Sequence, residues 1–164
     1  MKTPIILLLL ILLSLLLQQS LPAWPLFAGL KPPLTLALVV HLAFRLSPRM
    51  AWLSTSGVAL LYDSLEPGPF GPALLAFPLI TYFILRHRRN LFADGIITQL
   101  FCGACAGTLT VLSAGIIYLV TNARPIHSLT SMVVGGLLLG AFTQLIFSQL
   151  MLKCSWISIK GGRS

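Results

Sequence analysis

Few residues in this chain have side chains suited to chemistry. The 164 residues include only three carboxylates, Asp63, Glu66 and Asp94. Two carboxylates sharing a proton in an apolar setting would suit an aspartyl protease or a proton relay. Asp63 and Asp94 are the obvious pair, but the expected topology places them on opposite faces of the membrane, where they cannot share a proton. Glu66 is close to Asp63, and both read as part of a wet loop running to Gly71 with four Pro or Gly residues. Asp63 is then expected to anchor that loop. Cys102 and Cys105 have C-x-x-C spacing, which serves redox or metal chemistry only with accessible thiolates or further ligands. Here the motif sits in an apolar helix with no second pair and reads as packing. Cys154 ends another apolar stretch. His41, His87 and His127 lie on different segments, away from ligand spacing, and no nucleophile elbow is present. The sequence therefore predicts a non-enzyme with no catalytic residue, no cofactor and no metal site.

Composition explains this poverty. Hydrophobic residues make up 57% of the chain and charged ones 9%, with 11 basic and 3 acidic side chains. So few charges cannot cover a soluble domain, whereas lipid solvates apolar side chains directly. The net charge of +8 would suit nucleic acid if the basic residues formed a stripe. They lie instead at the ends of apolar runs, the pattern of topology signals and headgroup contacts, so no nucleic acid is expected.

The pattern predicts an all-α integral membrane protein, a six-transmembrane-helix bundle with both ends inside. It forms a single domain with helices at about 4–20, 33–46, 49–63, 71–86, 94–121 and 128–152, and a basic cytoplasmic tail over 153–164. Thr3 and Pro4 suit a helix start, as do Ser47 and Pro48. Asp94 and Ser128 read as caps of helices five and six. Pro78 should kink helix four by freeing the carbonyl of Leu74. The first segment has the charged start and apolar run of a signal peptide, but its Leu21-Pro22-Ala23 stretch is a poor cleavage site, so it is expected to stay as a helix. Segments two and three are short: helices of about 13 residues rise roughly 20 Å, against a hydrocarbon core of about 30 Å.

Charge sets the orientation. With six spans and an inner N-terminus, the inner side holds Lys2, Arg45, Arg49, Arg86, Arg88, Arg89, Lys153, Lys160 and Arg163, and the outer side only Lys31 and Arg124. That bias matches the positive-inside rule. Fusing residues 34–62 into one span would leave Arg45 and Arg49 near mid-membrane, at about 2.5–3.5 kcal/mol each, and Pro48 inside a helix.

Two small-residue motifs stand out, Gly103-x-x-x-Gly107 and Gly136-x-x-x-Gly140. This spacing lets helix backbones approach closely in lipid, either within the bundle or toward a partner helix. Gln99, Gln144 and Gln149 offer interhelical hydrogen bonds. Arg86, Arg88 and Arg89 form a basic cluster that reads as a topology anchor, with anionic lipid or an acidic partner segment as further possibilities.

From Leu21-Pro22-Ala23-Trp24-Pro25, through Lys31-Pro32-Pro33-Leu34-Thr35-Leu36 and Leu46-Ser47-Pro48-Arg49, the chain resembles the rod shape-determining protein MreD family. The most specific stretch runs from Gly57 through Tyr62-Asp63-Ser64 to Gly68-Pro69-Phe70-Gly71, followed by the basic cluster and Asn90-Leu91-Phe92. The resemblance covers about the first half of the chain; the second half matches in its helical hairpin and total length. It implies a non-enzymatic component of the bacterial elongation machinery in the inner membrane, scaffolding peptidoglycan synthesis. Its partners would be a helix of MreC and, through it, MreB, RodA and a class B penicillin-binding transpeptidase. The carried-over residues are Gly57, Asp63, Gly68 and Gly71. The family also looks similar in fold to the S-components of energy-coupling-factor transporters, so the alternative is a substrate-binding subunit of a small-molecule transporter.

Overall fold

The computed structural model describes residues 2–25, 29–66, 70–89, 91, 95–121 and 129–153. They form six α-helices: α1 (Lys2–Ser20), α2 (Leu34–Arg45), α3 (Pro48–Leu65), α4 (Pro72–His87), α5 (Ile96–Val120) and α6 (Leu129–Lys153). The helices alternate in direction. Gln18, near the end of α1, bonds to the start of α2 and to Tyr62 near the end of α3. Asp63 bonds to the start of α4. At the other end, Arg88 reaches the carbonyl of Leu46 just after α2. Gln144, late in α6, bonds to Gln99, early in α5.

The shortest helix lies at the centre. α2 has 12 residues, about 18 Å long, and packs against all five others. Leu38, Val39 and Val40 are fully buried there, with Thr35, Leu36, Leu42 and Ala43 around them. Its apolar sequence therefore faces protein. The chain breaks between α2 and α3, with Leu46 and Ser47 both extended and Pro48 opening α3. Two helices stand where a fused span would be.

Several sequence expectations change. α3 is longer than expected, because it starts at Pro48 and continues past residue 63 to take in Ser64 and Leu65. Asp63 is thus a residue of the last helical turn and only 7% exposed, not part of a wet loop. Helix α1 already includes Thr3, which is therefore not its cap. The cap position of α5 is Gly95, while Asp94 and Ser128 lie outside the described residues. Ser47 occupies the cap position of α3 without a side-chain bond to the helix. Pro78 is contained within α4.

Helices α5 and α6 are long and apolar enough to cross a membrane, over Ile96–Val120 and Thr130–Met151. Large apolar side chains are exposed on every helix except the central α2, among them Leu16, Leu53, Leu79, Ile97 and Phe142. Such an apolar exterior around an apolar core suits a helical membrane protein.

Candidate functional site

Three places in the bundle stand out, two joining different helices and one on a single exposed face, and each begins with a local sequence problem. The first is the start of α4. Gly71 precedes it with φ +125°, a conformation open to glycine, and a Cβ there would also meet Ile117 Cδ1 at 3.0 Å. Pro72 follows at the first helical position. Neither residue has a side chain that can cap the free N–H groups of the first turn. Asp63 does so from the neighbouring helix. Its Oδ1 accepts from the Ala73 N–H and its Oδ2 from the Leu74 N–H, both at 3.0 Å. The carboxylate also lies at the positive end of the α4 dipole. Ser113 of α5 donates to the Pro72 carbonyl at 3.0 Å, tying a third helix to the same point.

The start of α2 is handled in the same way. Its cap position is Pro33, which forms no side-chain cap. The amide of Gln18 in α1 supplies one: Oε1 accepts from the Thr35 N–H at 2.8 Å, and Nε2 donates to the Tyr62 hydroxyl at 3.1 Å. Tyr62 in turn packs at a tilt on the buried Phe77, with ring centroids 5.6 Å apart. Gln19 donates to Glu66 at 3.3 Å. The polar groups at this end of the bundle therefore hold helix ends together. Deeper in, Thr81 of α4 donates to Thr55 of α3 at 3.0 Å, with both side chains fully buried.

The second place is the α5–α6 seam. Gly103 and Gly107 face Gly136 and Gly140. A Cβ on Gly103 would lie 2.5 Å from both the Gly140 carbonyl oxygen and Gln144 Cβ, and one on Gly107 would collide with the Gly136 carbonyl. The two motifs are thus each other's partners within one chain. The buried bond from Gln144 to Gln99, at 2.6 Å, closes the seam at the end where α5 begins. Gln149 is exposed. On α5, Cys102 is buried and Cys105 half-buried. Among the described residues, no group of three His, Cys, Asp or Glu side chains could hold a metal.

The third place is the exposed face of α3. Gly57 lies there in mid-helix, and a Cβ added to it would meet nothing within 4 Å. Among the described residues, neither close packing nor backbone conformation accounts for this glycine.

Of the expected residues, the structure brings Asp63 and Gly71 together at the start of α4, and the four seam glycines at α5–α6. Gly57 stands apart from both. Gly68 lies outside the described residues, as do Cys154, His127 and Arg124. Arg88 is partly buried against the α2–α3 turn, while Arg86 and Arg89 are exposed. The sequence reading missed Gln18, Tyr62, Ser113 and the Thr55–Thr81 pair. A signal for Gln18 is present: the middle of α1 is an almost unbroken Ile/Leu run, and Ser14 and Gln18 share the turn spacing that marks its inward side.

Among curated proteins and solved structures, none matches the chain. The family model described as rod shape-determining protein MreD matches residues 2–154, which takes in all six helices and both halves of the bundle. With the first half carrying the Asp63–Gly71 junction and the second the glycine seam, the chain belongs to the rod shape-determining protein MreD family.

Proposed function

We propose that this chain is a six-span scaffold of the bacterial inner membrane that organises wall elongation by binding a single-span partner helix, with MreC as the partner. The family is a shape-determining structural component and is not a known enzyme family. The observation that carries the reading is Gly57. A glycine in an exposed helix interior costs roughly 1 kcal/mol relative to alanine. The fold gains nothing from it in return. Such a residue is useful where a second backbone must approach closely in lipid. Leu53, Leu60 and Leu61 flank it on the exposed side and would supply packing. MreC, which the family resemblance implies as a partner, would bring such a helix.

Gly57→Leu tests this directly. The variant should accumulate and melt like the unchanged protein, because its side chain enters open space. Recovery of MreC in detergent co-purification should fall at least about tenfold, the effect of losing a close helix contact. Undiminished recovery of MreC would remove the α3 face from the proposal.

The six-span topology rests on the alternating helix directions and the basic residues gathered at one end. It predicts that Ser64→Cys reacts with an impermeant thiol reagent from outside intact cells, while Arg89→Cys reacts only after the membrane is opened. The cysteines Cys102, Cys105 and Cys154 are replaced by serine for this experiment. External labelling of Arg89→Cys would overturn the topology.

A further inference from the structure

The bonds between α3 and α4 set their register. Thr81 donates to Thr55 at 3.0 Å, and further along the pair Asp63 accepts from Ala73 and Leu74. Thr55 to Asp63 is eight residues along α3, and Thr81 back to Ala73 is eight along α4. The helices therefore run antiparallel in step. Counting from either bond puts Gly57 level with Leu79, the neighbour of Pro78. One residue of helix is a rise of about 1.5 Å, so Gly57 and Pro78 share a depth in the bundle.

Both residues weaken a helix. Pro78 has no N–H for the Leu74 carbonyl, and its ring crowds that carbonyl. Ser56-Gly57 is a Ser/Gly pair, and sharp helix bends gather at such pairs and at prolines. The Ser54 hydroxyl also bonds back to the Met50 carbonyl at 2.6 Å, a contact that favours bending. One weak point in a pair of helices is splinted by the straight neighbour. Two at one depth let the pair bend together.

On either side of this level the hairpin is bonded within itself. On one side Asp63 clamps α3 to α4, and Tyr62 packs on Phe77. This half is tied to other helices, by Ser113 of α5 at the Pro72 carbonyl and by Gln18 of α1 at Tyr62. On the other side lie the Thr55–Thr81 bond and the bond from Arg88 to the Leu46 carbonyl, which ends on the turn leading into α3. These two bonds travel with the hairpin. Ile80 and Ile84 of this half are buried and apolar, and in lipid they can exchange helix contacts for acyl chains without a hydrophobic penalty.

We propose that the α3–α4 hairpin bends at the level of Gly57 and Pro78, with the half that ends at Arg88 swinging against the half clamped by Asp63, and that a helix docked along α3 over Gly57 splints the bend. The splinting rests on the docking reading above; the hinge does not.

Double electron–electron resonance on the full chain in lipid nanodiscs measures the swing, with Cys102, Cys105 and Cys154 replaced by serine. Spin labels at R86C and Q149C span from the swinging half to α6, and labels at L75C and V134C span from the clamped half to α6; all four positions are exposed. A bend of about 20° over the roughly 12 Å of helix from Pro78 to Arg86 moves that end by about 4 Å. The R86C/Q149C distance distribution should be broader than the L75C/V134C one by that amount. G57A/P78A should narrow the first and leave the second unchanged, with a melt showing that the variant folds. Equal widths for the two pairs without G57A/P78A would overturn the hinge, whether or not that variant folds. So would a broad R86C/Q149C distribution that survives both alanines. In the complex with MreC, the same narrowing should occur with Gly57 and Pro78 in place. A bound complex that keeps the full width would overturn the splint. If MreC does not bind, the docking reading falls and the splint with it, while the R86C/Q149C width still decides the hinge.

Discussion

Asp63→Ala is expected to destabilise the bundle by about 3 kcal/mol, lowering the melting temperature in detergent by roughly 6–12 °C. The size follows from what the carboxylate does. It accepts two backbone N–H bonds of α4, from Ala73 and Leu74, and it is only 7% exposed. Removing it strands two donors where water has poor access, and each stranded donor costs more than the bond nets in the intact fold. The residues at the helix start cannot compensate, because Gly71 and Pro72 have no capping atoms. Asp63→Asn should fall between the two proteins. It keeps one acceptor but turns an N–H donor toward a second donor, and it loses the favourable charge at the helix N-terminus. A fluorescence or circular dichroism melt of the three proteins measures the order. If Asp63→Ala melted within a degree of the unchanged protein, the carboxylate would have no part in holding α3 to α4. In cells, the same variant should fail to restore rod shape because the protein does not accumulate, and an immunoblot distinguishes that from a lost interaction.

This junction shows how much of the fold can be read from residues alone. The segment pattern is visible because Pro, Gly and charged residues mark every break, and the observed helices follow those marks within a few residues. The end of α3 reads too early because Glu66, Pro67 and Gly68 dominate the local pattern. Asp63 then reads as loop, whereas one more helical turn is what aims it at α4. Burial is the harder property. Leu34 to Ala43 is as apolar as any lipid-facing segment, and its position at the centre of the bundle depends on packing against five helices. In lipid the usual amphipathic signal is inverted, because polar residues mark the inward side. On α1 this inversion picks out Ser14 and Gln18 among leucines, and both are buried. Local patterns cannot reveal what Gln18 binds, since Thr35 and Tyr62 lie 17 and 44 residues away. Gly57 is legible as a residue of the family pattern, but only the open space around it separates a packing glycine from a docking one.

The glycine seam carries the second large effect. Gly107→Ala should cost about 1–3 kcal/mol, and Gly107→Leu should prevent stable accumulation of the protein. A Cβ at Gly107 meets the backbone carbonyl of Gly136, and backbone within a helix cannot rotate away as a side chain can. The helices must separate. Close packing along the seam is what holds α5 to α6 in lipid, where no hydrophobic effect favours helix over lipid, so separation removes the main attraction between them. It would also stretch the Gln144–Gln99 bond, whose 2.6 Å length leaves no slack. Gly140→Ala should behave alike, because its Cβ meets the Gly103 carbonyl from the opposite helix. Gly57→Ala supplies the contrast: with nothing within 4 Å, it should match the unchanged protein or exceed it by up to about 1 kcal/mol. Denaturation in mixed micelles at several protein concentrations separates an intrachain seam from a dimer contact. An intrachain seam predicts that the loss in Gly107→Ala is independent of concentration. A loss that vanished on dilution would show that these glycines join two copies of the chain. The bundle would then have to hold α5 to α6 without them, which the direct backbone approach at four glycines makes physically implausible.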